Sequence, residues 1–159
     1  MRQDCEKTRE EEEKTMRLWH IDLLPYLPQK QFKGQLRELV AIMHDWRDKG
    51  KTNHVLINRV MDYPKMHLVD YFITYSIKYE RRIGKSINKR IFKEFREFCD
   101  KWENVKAFDG WHDKEYLRVC MANLYEKHKY GKGSSQITDS EWATLLEGYE
   151  IITGEEYRI

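Results

Sequence analysis

Nowhere in this sequence do about 18 apolar residues follow one another, the length a membrane-spanning helix needs. The chain is therefore expected to have no span, and no secretory signal is read at its start. Cysteine is scarce. Cys5, Cys99 and Cys120 are odd in number and scattered, which argues against a disulfide framework and for reduced thiols in a cytoplasmic protein. Only three prolines occur, Pro25, Pro28 and Pro64, so no proline interrupts a helix beyond residue 64. Sustained period-two alternation is missing, which removes the usual signal for half-buried strands. Six histidines show neither an HExxH pattern nor Cys/His spacing for zinc, and no metal or cofactor is expected. There is no GxSxG elbow. Gly50-Lys51-Thr52 resembles the end of a phosphate-binding loop, but Asp45 stands where that loop needs its first glycine.

What is present is helical periodicity. Phe32, Leu36, Leu39, Met43 and Trp46 recur at three and four residues, predicting a helix over 28–49 that Gly50 ends. A short segment around 55–61 precedes Tyr63-Pro64, a dipeptide biased away from helix. Met66, Val69, Ile73 and Ile77 predict the buried face of a helix over 65–83, closed by Gly84. Ser86 is the expected N-cap of an amphipathic helix with the stripe Ile87, Ile91, Phe95, Phe98 and Trp102. After a linker over 104–112, Asp113 can cap a helix carrying Leu117, Cys120, Met121 and Leu124. Thr138 and Glu141 have the spacing of a capping box ahead of Trp142, Leu145, Leu146 and Tyr149, and 151–159 reads as an extended tail. At 159 residues the chain suits one domain, all-α, with five or six helices over 16–159. Residues 1–15 lack any aliphatic or aromatic residue beyond Met1 and read as a charged leader.

The net charge of +2 is unevenly spread. Residues 1–15 hold four basic and six acidic side chains, whereas 78–96 hold eight Lys/Arg against Glu80 and Glu94. That block is the footprint expected for a polyanion partner, although a solvated helix face has the same composition. Arg37 and Glu38 are adjacent on the first helix, so they point about 100° apart and cannot pair with each other. Taken alone they are an ordinary solvated pair.

The longer pattern says more. Met16-Arg17-Leu18, a proline-containing loop, then Gln35-Leu36-Arg37-Glu38-Leu39 on a helix, resemble the pyrimidine-dimer DNA glycosylase family of the phage endonuclease V type. The similarity runs on through Asp48-Lys49-Gly50-Lys51 and His54-Val55 to Glu80-Arg81-Arg82-Ile83-Gly84, about residues 16–85. The opening MRLWH resembles a bacterial and mobile-element branch of uncharacterised relatives. The resemblance implies a compact all-α DNA-repair enzyme, monomeric and cytoplasmic, acting on double-stranded damaged DNA without metal or cofactor. Such enzymes remove a damaged pyrimidine and nick the strand by β-elimination. Their nucleophile is the N-terminal α-amine, here that of Met16, which forms a Schiff base at the sugar C1′. An α-amine with a pKa of about 7.7–8.0 keeps a useful neutral fraction. By resemblance Glu38 moves protons and stabilises the cationic sugar, with Arg37 beside it. Arg17, His20, Arg47, Lys51, His54, Arg81, Arg82, Lys85 and Lys89 are the expected DNA contacts.

Two departures leave other readings open. Fifteen residues precede Met16, and an amine held in a peptide bond is no nucleophile. Ala41 and Ile42 stand where the family carries a further arginine. A non-catalytic nucleic-acid-binding domain, or a phage or mobile-element accessory protein of the same fold, is the alternative.

Overall fold

The computed structural model describes residues 18–52 and 57–159, and every regular element within them is a helix. Five α-helices follow in order: α1 (Gln29–Lys49), α2 (Lys65–Ile83), α3 (Lys89–Phe98), α4 (Lys114–Tyr130) and α5 (Asp139–Thr153). Short 3-10 turns sit at Ile21–Leu23, Ile57–Asp62 and Gly133–Ser135. None of these helices is long and apolar enough to cross a membrane. The leader over 1–15, Met16, Arg17 and His54 lie outside the described residues.

Local chemistry sets most boundaries. Pro28 and Pro64 occupy the N-cap positions of α1 and α2, where a missing N–H costs nothing. Gly50 and Gly84 end those helices at φ of 68° and 79°, a left-handed turn that a side chain resists. Asp113 caps α4 by accepting from Tyr116 N–H at 2.8 Å. Thr138 and Glu141 form the expected capping box on α5.

Four expectations fail in whole or in part. α3 is capped by Asn88, whose side chain accepts from Arg90 N–H, two residues beyond Ser86. The helix stops at Phe98, leaving Trp102 outside it and 43% exposed. In α2 the expected Met66/Val69/Ile73/Ile77 face is only partly core: Val69 is buried and Ile73 packs against the core, but Ile77 is 50% exposed, and Leu68, Tyr71, Phe72 and Tyr75 carry most of the burial. Tyrosine can lie inside because its hydroxyl finds a carbonyl; Tyr75 O–H donates to Phe32 O at 2.6 Å. Finally, α5 continues to Thr153, so only the residues after Gly154 form a non-helical tail.

Packing follows from these faces. α2 runs antiparallel to α1, since Tyr71 reaches Gln35, Tyr75 reaches Phe32, and Arg82 reaches Leu27. α3 lies across both, with Phe95 stacked on Phe72 at 4.0 Å and His44 bonded to Glu94 at 3.0 Å. α4 and α5 pack on each other, and α5 also packs on the opening 3-10 turn. Cys120 is buried and Cys99 half-buried.

Candidate active site

Helix α1 buries an arc of Phe32, Gln35, Leu39, Ile42 and Met43. Gln35 is the polar member of that arc and is fully buried. A buried amide is costly unless both of its ends are bonded. Its Oε1 accepts from Trp19 N–H at 2.8 Å, and its Nε2 donates to Glu38 Oε2 at 3.1 Å. One planar amide therefore joins the main chain at Trp19 to the carboxylate of Glu38, one helical turn further on. Glu38 is half-buried, at the edge between the core and solvent. Arg37 is exposed and points away from it, as adjacent helical positions must.

The segment that meets Gln35 is held from several sides. Tyr71 O–H donates to Trp19 O at 2.6 Å, so both polar groups of that residue's main chain are bonded. Tyr116 O–H, from α4, donates to Leu18 O. His112 Nδ1 accepts from Ile21 N–H at 3.0 Å. Burial raises the Tyr71 phenol well above its ordinary pKa, with Tyr116, Cys120 and Glu38 adding to the effect, so it stays a hydrogen-bond donor.

His20, expected at a DNA surface, is 2% exposed. It caps the 3-10 turn by accepting from Asp22 N–H at 3.1 Å and stacks on His112 at 5.2 Å. Burial lowers its pKa, opposed by Asp22. His112 is pushed down to about 2 by burial, with His20 and Arg59 pushing the same way. Both imidazoles are thus neutral and act as acceptors through Nδ1.

Arg82, another expected DNA contact, is turned inward. Its guanidinium donates to Leu24 O at 2.9 Å, Leu27 O at 2.7 Å and Gln29 Oε1 at 3.1 Å, and it covers the Phe32 ring. It fastens the proline loop to α2. Its neighbours Arg81 and Lys85 are exposed, as is Lys89 at the start of α3. Arg47 is exposed but held by the next residue, with Nε and Nη2 on the Asp48 carboxylate at 2.8 and 3.1 Å. It lies about 13 Å along the α1 axis from Glu38. Lys51 is exposed just after Gly50. The structure thus brings together Glu38 and the Trp19 main chain, turns Arg82 inward, and leaves Arg37, Arg47, Lys51, Arg81, Lys85 and Lys89 exposed.

Gln35, Tyr71, Tyr116 and His112 are the residues that sequence reasoning missed. A glutamine on the buried arc between Phe32 and Leu39 was the available signal for the first; for the others, aromatic and histidine side chains gave none. Among the described residues, no group of three His, Cys, Asp or Glu is arranged to hold a metal ion.

The family model described as pyrimidine dimer DNA glycosylase matches residues 16–86, which supports the resemblance over the opening segment, α1 and α2. No curated protein and no solved structure matches the chain.

Proposed function

We propose that this chain, matched over residues 16–86 by the pyrimidine dimer DNA glycosylase family, is a DNA glycosylase with abasic-site lyase activity, working through the amine of Met16 when that residue is the N-terminus. The observation that carries the reading is the bridge through Gln35, which puts Trp19 one side-chain amide from Glu38. Three residues of chain reach about 11 Å at most, so an amine at residue 16 has Glu38 within its range.

The chemistry follows from those two groups. The neutral amine attacks C1′ as the bond from sugar to base breaks, and loss of a nitrogen proton with ring opening gives the imine. Removal of a C2′ proton then expels the 3′-phosphate. Glu38 is the group that accepts and returns protons and faces the cationic sugar. Arg37, Arg81, Lys85 and Lys89 are exposed cations suited to phosphates of double-stranded DNA, joined in this reading by Arg17, Lys51 and His54. The enzyme acts as a cytoplasmic monomer on damaged pyrimidines.

The test compares the full chain with a form beginning at Met16, each incubated with an abasic-site duplex and borohydride. A covalent adduct is expected from the short form alone, and Glu38→Gln should slow its formation by about 10²–10⁴-fold. Absence of an adduct from both forms overturns the reading. A second reading, a nucleic-acid-binding domain without the reaction, draws on the residues before Met16, which block its amine. It would keep salt-sensitive DNA binding in that same experiment.

A further inference from the structure

Gln35 is not needed to fill its place in α1. Its neighbours on the buried arc, Phe32, Leu39 and Ile42, are all apolar, so volume alone does not call for an amide there; the Trp19 N–H and the Glu38 carboxylate do. The amide is bonded at both ends, to two groups the reaction depends on. Its oxygen takes the Trp19 N–H, while Tyr71 takes the Trp19 carbonyl at 2.6 Å, so the residue is clamped on both edges of its main chain. Its nitrogen gives a hydrogen bond to one named oxygen of the carboxylate, Oε2 of Glu38.

We propose that Gln35 is a positioning residue that sets Glu38 in register with the N-terminal segment and favours its ionised form. The inference rests on the glycosylase reading for its use in catalysis, but the coupling of Gln35 to Glu38 does not. A rigid planar group bonded to both partners fixes their separation more closely than two independent side chains would. An N–H donated to a carboxylate stabilises the anion, the form that accepts a proton. Because the Gln35 side chain lies inside the protein, it acts on the reaction only through Glu38 and the main chain.

Two substitutions separate this role from simple packing. Gln35→Leu keeps the volume and removes both bonds. Gln35→Glu keeps the shape and sets a second carboxyl against Glu38, where two acids within hydrogen-bond reach share one proton. In the full chain labelled with ¹³C at glutamate side chains, the Glu38 titration is expected to move to higher pH in both variants, by about one unit or more in Gln35→Glu.

In the Met16-start form, Gln35→Leu should lower the rate of borohydride-trappable adduct formation at least about tenfold, with substrate KM changed less than about twofold. Added to Glu38→Gln it should cost less than its loss alone, since the two side chains share the Gln35–Glu38 bond. An unmoved Glu38 titration, or losses that multiply in the double variant, overturns the proposal. A Glu38 shift in a protein that never traps DNA retires the glycosylase reading and leaves the coupling standing. Variants too unstable to study are replaced by Gln35→Asn, whose shorter amide cannot span both partners and should give the same titration shift.

Discussion

The rings of His20 and His112 stack at 5.2 Å, and each accepts a backbone N–H of the opening turn through Nδ1. The Nε2 of His112 is buried without a hydrogen-bond partner among the described residues. Two neutral imidazoles, rather than two charged ones, thus hold the turn that leads to Glu38.

This predicts a one-sided pH dependence of stability. His112 is neutral down to a pKa of about 2 when folded, against about 6.5 unfolded. Between those values the unfolded state binds the extra proton, so stability is full above about pH 6.5 and falls as pH drops. The slope from His112 is about 1.4 kcal/mol per pH unit. His20 and His67, also lowered by burial, act in the same direction. Urea unfolding at pH 7.5 and pH 5 is the measurement. His112→Gln, which can still accept from Ile21, should give a shallower slope; an unchanged slope would remove His112 from the explanation.

Arg82 and Arg81 should behave differently although they adjoin. Replacing Arg82 by Ala leaves the carbonyls of Leu24 and Leu27 without their donor and should cost about 1.5–3 kcal/mol. Lysine should not restore it, because one ammonium cannot reproduce the planar fork. Arg81→Ala should leave stability within about 0.5 kcal/mol. If DNA binds through this surface, it should reduce the salt dependence of binding by roughly one phosphate contact. Unfolding midpoints and salt titrations of DNA affinity decide both.

Two helical glycines make a contrasting pair. A β-carbon on Gly148 of α5 would come within 2.4 Å of the Tyr26 ring, whereas one on Gly34 of α1 meets nothing within 4 Å. Gly148→Ala is therefore expected to destabilise by about 1–3 kcal/mol through overpacking. Gly34→Ala should stabilise by about 0.5–1 kcal/mol. Thermal melts compare them directly. A Gly34→Ala protein that gains stability but loses DNA affinity would mean that DNA seats against that open turn of α1.

Tyr116→Phe tests the hold on the segment from the other side of the core. The phenol donates to Leu18 O, and losing it leaves a buried carbonyl short of a partner, at about 1–3 kcal/mol. Adduct formation in the Met16-start form should fall by more than the loss of folded protein explains. A rate that merely follows the folded fraction would reduce Tyr116 to a packing residue.

Helix ends were legible in the sequence because their signals are local. Pro28 with Gly50, Pro64 with Gly84, Asp113, and Thr138 with Glu141 all mark the boundaries they suggest. Where two local signals compete, the sequence does not choose between them. Ser86 and Asn88 are equally good caps, and burial of Ile87 immediately before Asn88 accompanies the later start. In α2, both Met66/Val69/Ile73/Ile77 and Leu68/Tyr71/Phe72/Tyr75 repeat at helical spacing. Counting aliphatics favours the first, but the aromatic set is buried because its hydroxyls find carbonyls from the opening segment and α1. Glu38 was visible only through a resemblance. The bridge through Gln35 depends on residues sixteen apart meeting in space, which no periodicity encodes.

The opening turn has a late partner. Tyr26 rests on Gly148 of α5, and Leu18 and Ile21 are bonded by Tyr116 and His112. During synthesis, the first described residues to emerge from the ribosome wait for more than a hundred others before their seat is whole. Until α4 and α5 emerge, the segment that leads to Glu38 has only its partners on α1 and α2, among them Gln35 and Tyr71. The fold thus completes the seat of that segment only when the chain is almost complete.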